Sequence, residues 1–317
     1  MYQNNLKIYQ APLQGFTDFD FRKALAETFG GVDKFFVPYL SYGKGHEIKR
    51  SQLRELLPEN NLGLPTVPQV LFADFEELDS LIEIISGNGY SEINLNLGCP
   101  YPMVTNKGRG SVLLVYPEKL DEMLALLFSK YPGIRFSVKM RAGMKDDHSF
   151  VKVFEVLNNY SLEEVIFHPR TASQMYDGKA NPQLFAEAVI ISKHRLVYNG
   201  DIVSEAGFAE LKNQFQEQCE WMIGRGLLAN PSLPAQLKGD TFSESKLREK
   251  LREFHDRLFQ AYSSRLDGSG HLLQKMNQFW IYFSESFENP HKAMKLVKKS
   301  SNLSKYNAAV SEIFSRF

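Results

Sequence analysis

Eight short apolar segments, each ending in turn or polar residues and each followed by a stretch of helical character, punctuate the first 225 residues. They span 6–12, 35–41, 66–72, 92–98, 135–141, 163–169, 195–201 and 219–225. In the intervening "DFEELDSLIEIIS", Leu78, Leu81, Ile82 and Ile85 fall on one helical face. "PEKLDEMLALLFSKY" opens with Pro117, whose missing N–H costs little in a first helical turn. Strict alternation of strand and helix dictates a parallel sheet, and eight repeats predict an α/β chain closed into a (β/α)8 TIM barrel. The competing open, doubly wound sheet normally places a glycine-rich phosphate turn after its first strand, where "APLQGFTD" has only Gly15.

The alternation stops near Asp240. Beyond it, "SESKLREKLREFHDRLFQAYSSRL", "HLLQKMNQFWIYFSESF" and "PHKAMKLVKKSSNL" read as successive helices without strands. We therefore expect a barrel over 1–240 and a smaller all-α domain over 241–317. Net charge is formally zero, but residues 241–317 carry 13 Lys and Arg against 8 Asp and Glu. A basic module thus follows a slightly acidic body, which suits an anionic partner as well as a merely solvated helical face. The N-terminus lacks the basic start and apolar core of a signal peptide, and no long apolar run suggests a membrane span. The expectation is a cytoplasmic monomer.

In such barrels the reactive face is built from the C-terminal ends of the strands. Those ends supply Gln69, Asn96, Cys99, Lys139, Arg141, His168, Arg170, Asn199 and Asp201. "YNGDI" and "IGRG", after the seventh and eighth segments, are glycine-bearing loops where barrels commonly take a phosphate. Lys139 lies in a strand otherwise fit for burial. It reads either as a rim side chain reaching solvent or as a cation that stabilises negative charge on a reduced ring system. His168 reads as a rim group or as a satisfied core histidine. Gln69 reads as a buried amide serving loop backbone or as a binding group.

Cys99 and Cys219 are the only thiols, so a disulfide framework is implausible in a chain this large and each needs its own account. Cys219 opens a strand at the opposite end of the barrel and reads as structural. Cys99 stands between Gly98 and Pro100 at the functional end. No second cysteine or nearby histidine lies at metal spacing, so no metal is expected. A structural thiol more often sits inside an element. A thiol with its ordinary pKa of about 8.5 stays mostly protonated near neutral pH, and is well suited to general acid work.

Six ordered motifs carry a family resemblance: "APLQGFTD", "NLNLGCP", "VKMRAG", "HPRTASQMYDG", "NGDI" and "MIGRG". Together they resemble the tRNA-dihydrouridine synthases, flavoenzymes that join an FMN-binding barrel to a helical tRNA-binding domain, and the likeness covers essentially the whole chain. The resemblance implies reduction of the C5=C6 bond of a uridine, usually in the tRNA D-loop, with NADPH acting through FMN. It implies that Cys99 protonates C5 while the flavin N5 delivers hydride to C6. It also implies that Lys139 lies beside the flavin ring, with Gln69, Pro12 and Leu13 at its pyrimidine end and His168 helping to hold it. Asn199, Gly200, Asp201, Gly224 and Arg225 would surround the ribityl chain and phosphate. Asn96, Arg141, Arg170 and Tyr176 would face the uracil, and Lys292, Lys295, Lys298 and Lys299 would touch tRNA phosphates.

Some positions depart from the family pattern. Leu13 and Gln14 stand where Met and a small residue are commoner, "HPRT" replaces His-Gly-Arg-Thr, and Arg109 occupies a place usually held by a small residue. Arg109 is read as a contact to tRNA or NADPH, or to neither, and the loop from Gly98 to Gly110 as mobile. Two alternatives remain beside the leading one: a flavin-dependent reductase of free pyrimidines or other small enones, and a tRNA-binding protein without catalysis.

Overall fold

The computed structural model describes residues 6–43 and 45–316. Eight parallel strands close into a barrel in sequence order: β1 Lys7–Gln10, β2 Lys34–Leu40, β3 Thr66–Val70, β4 Glu92–Leu97, β5 Arg135–Gly143, β6 Val165–Thr171, β7 Leu196–Tyr198 and β8 Glu220–Ile223. Pairing of Lys7 with Glu220 through Gln10 with Ile223 closes the cylinder. β1, β7 and β8 stop short of the apolar segments that announced them, because Pro12, Asn199 to Asp201, and Gly224 have already left the sheet. β5 and β6 run further, so His168 and Arg170 are strand residues.

The period of two in each strand sorts side chains between two cores. Outward residues such as Ile8, Val37, Leu95 and Phe167 pack under the surrounding helices. Inward residues Tyr9, Ala11, Phe36, Val67, Ile166 and Met222 form a separate plug inside the barrel. Two residues on from Val67, Ile166 and Val197, the same inward parity brings Gln69, His168 and Asn199 to the C-terminal mouth. At the opposite end, Glu164 is fully buried and paired with Lys34 at 3.1 Å and Arg195 at 3.2 Å. Cys219 lies at that end too, its carbonyl accepting from the Lys7 N–H at 2.9 Å.

The amphipathic helix after β3 spans Phe75–Gly87. Asp74 caps it by accepting from the Glu77 N–H, and Leu78, Leu81, Ile82 and Ile85 are its buried stripe. Pro117 opens the helix Pro117–Lys130. Long helices begin at Glu244: Glu244–Arg265, Ser269–Phe283, Pro290–Lys298 and Leu303–Arg316. They are fastened to the barrel rather than tethered. Phe254 packs on Phe21 with ring centroids 5.6 Å apart, and Arg265 and Lys275 converge on Asp18 at 3.0 and 3.1 Å. Among the described residues no helix is long and apolar enough to cross a membrane.

Candidate active site

Gln69 on β3, Asn94 and Asn96 on β4 and Ser137 on β5 contribute a row of polar side chains from three adjacent strands. A barrel interior can hold such groups only if they satisfy one another. They do so in a chain. Asn94 Nδ2 donates to Ser137 Oγ at 2.9 Å, Gln69 Nε2 donates to Asn94 Oδ1 at 2.7 Å, and Asn96 Nδ2 donates to Gln69 Oε1 at 2.7 Å. The last acceptor, Asn96 Oδ1, takes the backbone N–H groups of Gly98 and Cys99 at 3.0 and 2.9 Å. The amides thus transmit the rigidity of the sheet to the cysteine. Asn96 lines the cavity as expected of a substrate-facing residue, but both ends of its carboxamide already serve the protein.

Cys99 is gripped from its other side as well. Its carbonyl accepts from Ser111 N–H at 3.1 Å and Ser111 Oγ at 2.9 Å. Gly110 adopts φ +67°, and a Cβ there would meet the Cys99 carbonyl oxygen at 2.7 Å. These contacts, and the short helices Pro102–Thr105 and Gly110–Val115, replace the expected mobile loop with a bonded one. Arg109 is likewise not free for tRNA or NADPH. It is 8% exposed, and its guanidinium engages Glu77 through Nε at 3.0 Å and through Nη2. Two sign changes meet at the thiol: burial pushes its pKa up, while the Tyr101 backbone, Arg141, Lys139 and a hydrogen bond with Tyr39 pull it down, leaving it above the ordinary cysteine value.

Lys139 opens on the same cavity. Burial, reinforced by Arg141, brings its ammonium down to about 7. No hydrogen bond or ion pair to a protein acceptor ends on it among the described residues. Arg141 donates from Nε to the Gly98 carbonyl at 3.1 Å and from Nη1 to Thr171 at 2.8 Å, tying the base of the Cys99 loop to the end of β6. His168 Nδ1 is bound to the Asn199 carbonyl, which leaves Nε2 buried and without a partner. Burial, then Arg141 and Lys139, hold the imidazole well below its usual pKa, so it stands there neutral. Asn199 Nδ2 donates to the Met222 carbonyl at 2.9 Å and joins β7 to β8.

Pro12, Leu13, Gly200 and Gly224 also line this cavity. A Cβ on Gly200 would collide with Ala180 at 2.8 Å, so that glycine answers a packing need. A Cβ on Gly224 would meet only Ala11 and Leu13, at 3.6 and 3.9 Å, so its bareness leaves room in the cavity itself. Tyr176 lies between two cations, with Arg225 4.6 Å and Arg141 5.4 Å from its ring centroid.

One expected placement needs correction. Arg170 does not line the cavity: it is 1% exposed and its fork is spent on Asp201, at 3.0 and 2.7 Å, and on the Gly178 carbonyl. Asp201 reaches the cavity, but its carboxylate is taken by Arg170, by Arg225 at 3.3 Å and by the Ala180 N–H at 2.8 Å. A carboxylate so engaged orients the two arginines from the place on the cavity wall where it was expected.

Four aromatic residues at this site escaped the sequence reading, Tyr101 beside Pro100 being one. Tyr39, at the end of β2, hydrogen-bonds Cys99; Phe16 lines the cavity; and Tyr282, from the helical region, joins them with its ring 5.3 Å from that of Phe16. "FFVPYLS" gave Tyr39 no mark beyond its place at a strand end. Tyr282 reads as one more aromatic in an amphipathic helix. Lys292, Lys295, Lys298 and Lys299 are exposed on and just after the helix Pro290–Lys298, away from this cavity's walls.

The family model described as Dihydrouridine synthase (Dus) matches residues 9–315. The chain belongs to this family. It is thus an enzyme of the dihydrouridine synthase family, with curated relatives at moderate distance. It is 29% identical over 236 residues to "tRNA-dihydrouridine synthase B" of Pasteurella multocida, covering 73% of this chain and 69% of the relative. It is 28% identical over 279 residues to a "Probable tRNA-dihydrouridine synthase" of Staphylococcus epidermidis, covering 86% of this chain and 83% of the relative. Among solved structures, the old yellow enzyme homologue of Zymomonas mobilis superposes with a TM-score of 0.51 at 12% identity, over 76% of this chain and 92% of that one. That likeness shows the fold alone.

Proposed function

We propose that this chain is a tRNA-dihydrouridine synthase that reduces the C5=C6 bond of a D-loop uridine, with FMN as its bound cofactor and NADPH as the source of electrons. The observation that carries the reading is the shared cavity: the Cys99 thiol and the unpartnered Lys139 ammonium open on one barrel mouth. The residues present suit a flavin on three counts. His168 offers a buried ring nitrogen without a partner, Lys139 offers a cation without an anion, and Gly224 leaves space against Ala11 and Leu13. Lys139, His168, Gln69, Pro12 and Leu13 would hold its ring, and Asn199, Gly200, Gly224 and Arg225 its tail. Bound there in reduced form, FMN supplies a hydride to C6 of the uracil.

The protein's own part is the proton. Hydride addition at the carbon conjugated with a carbonyl builds negative charge toward C5, and a positioned acid must quench it. Cys99 Sγ holds that proton, because burial keeps the thiol from ionising beforehand. Delivery to C5 leaves a thiolate beside Arg141, Lys139 and the Tyr39 hydroxyl, and solvent then returns the proton. The neutral uridine must leave the tRNA stack to reach this depth, and the basic helical region suits phosphate contacts that hold the tRNA meanwhile.

The test is direct. Purified protein with FMN, NADPH and unmodified tRNA should form dihydrouridine, read by mass spectrometry of nucleosides, and Cys99→Ala should keep its flavin spectrum while losing most of the product. Unchanged product in that variant removes Cys99 as the acid. A colourless protein that takes up no FMN overturns the reading.

A further inference from the structure

Arg109 does not line the cavity, yet each of its side-chain bonds ends on a segment that builds the wall around Cys99. Nε donates to Glu77 Oε2 at 3.0 Å, Nη2 donates to Glu77 Oε1, and Nη1 donates to the Tyr42 carbonyl at 2.8 Å. Glu77 stands in the first turn of the helix Phe75–Gly87, and its Oε2 also takes the Ala73 N–H at 2.9 Å. Tyr42 follows the end of β2, the strand that supplies Tyr39. Next in the chain come Gly110, whose absent Cβ would stand 3.1 Å from Cys99 Cβ, and Ser111, with its two bonds to the Cys99 carbonyl. One guanidinium therefore clamps the cysteine loop to the ends of two other barrel units.

The side-chain type matters. Only the planar fork of arginine meets a carboxylate with two parallel donors and still reaches a third acceptor. Both partners are nearly buried, with side chains 9% and 10% exposed. The desolvation cost of such a pair can exceed its Coulombic gain, so its place here argues for geometry rather than for stability gained. We propose that Arg109 is a positioning residue, whose fork with Glu77 sets the place of the Cys99 thiol through Gly110 and Ser111. The proposal rests on the reading of Cys99 as the proton donor.

The experiment compares Arg109→Met with Glu77→Gln/Arg109→Met, all in a Cys219→Ser background so that Cys99 is the only thiol. The double variant removes the charge that the single one strands, and so keeps a folded protein in the comparison. Iodoacetamide labelling of Cys99 should accelerate about tenfold in both, because the loop no longer holds the thiol against the wall. Turnover on tRNA should fall by about 10- to 100-fold, the scale of a small misplacement of a reacting group, with KM for tRNA and flavin content unchanged. Arg109→Lys, which keeps the charge without the fork, should recover only part of the loss. Labelling and turnover within twofold of the parent overturn the proposal, as does a loss of turnover that merely follows loss of flavin. The labelling arm uses neither tRNA nor NADPH, so its failure is distinct from a failure of the functional reading.

Discussion

The carboxamide oxygen of Asn96 accepts from the backbone N–H groups of both Gly98, at 3.0 Å, and Cys99, at 2.9 Å. A side chain inside the sheet thereby sets the backbone of the reactive loop. Asn96→Ala leaves two donors and the Gln69 acceptor without a partner, and should cost about 1–3 kcal/mol of stability. It should also lower turnover by about 10-fold or more while flavin content is retained, since the thiol is displaced and not removed. Denaturant titration and single-turnover dihydrouridine formation check the two parts. Asn96→Asp should not rescue: its new oxygen meets Gln69 Oε1 where the amide donated at 2.7 Å.

Lys139 gives the flavin-free protein a distinctive pH dependence. Its folded pKa is lowered to about 7 by burial and by Arg141. The unfolded chain holds that proton up to the ordinary lysine value of about 10.4, so between the two values unfolding takes up a proton. Stability should therefore rise with pH across that window, by up to about 1.4 kcal/mol per unit, relative to Lys139→Met. Parallel urea titrations of the two flavin-free proteins at pH 7, 8 and 9 measure the difference. A constant gap would show that Lys139 keeps its charge at no cost.

The barrel was legible because its strands are hydrophobic runs separated by helical stripes, and the stripe Leu78, Leu81, Ile82 and Ile85 is buried as its spacing required. The strand-end rule likewise brought Gln69, Cys99, Lys139, His168 and Asn199 to one cavity. What the rule could not supply was direction. Arg170 and Asp201 both sit at strand ends, yet they point at each other, and the pairing offsets the cost of burying the Arg170 charge. Arg109 was opaque for the same reason: its partner Glu77 is distant in sequence and looks like any first-turn acid. Tyr282 was hidden because the helical region's docking against Phe16 depends on tertiary packing that no local pattern encodes.

Asp18 anchors the helical region to the barrel. It receives Arg265 at 3.0 Å, Lys275 at 3.1 Å and the Tyr262 hydroxyl at 2.9 Å, and Lys275 also donates to the Gly15 carbonyl at 2.8 Å beside the cavity. Burial would raise the carboxyl, but Lys275 and Arg265 outweigh it and hold the pKa below the usual aspartate value. The stabilisation is present above the unfolded pKa of about 3.9, and is lost as pH falls through the lower folded value. Asp18→Asn should thus cost roughly 3 kcal/mol near neutral pH, and the gap to the parent should narrow below pH 4. Thermal or urea unfolding across pH 3 to 7 tests this. A gap independent of pH would mean that packing, not charge, is what the substitution disturbs.

The exposed lysines Lys292, Lys295, Lys298 and Lys299 lie close together on one basic segment, which belongs to a region with 13 basic against 8 acidic residues. If they face tRNA phosphates, each releases counterions on binding, and the slope of log affinity against log salt records how many do. Replacing Lys295, Lys298 and Lys299 together by Ala should weaken tRNA binding and make that slope shallower by about 2–3. The chemistry at the barrel mouth should be untouched, so turnover at saturating tRNA stays near that of the parent while KM rises. Filter binding at several salt concentrations, paired with steady-state kinetics, separates the two effects. An unchanged slope would assign these lysines to a solvated face and move the tRNA contact elsewhere on the protein.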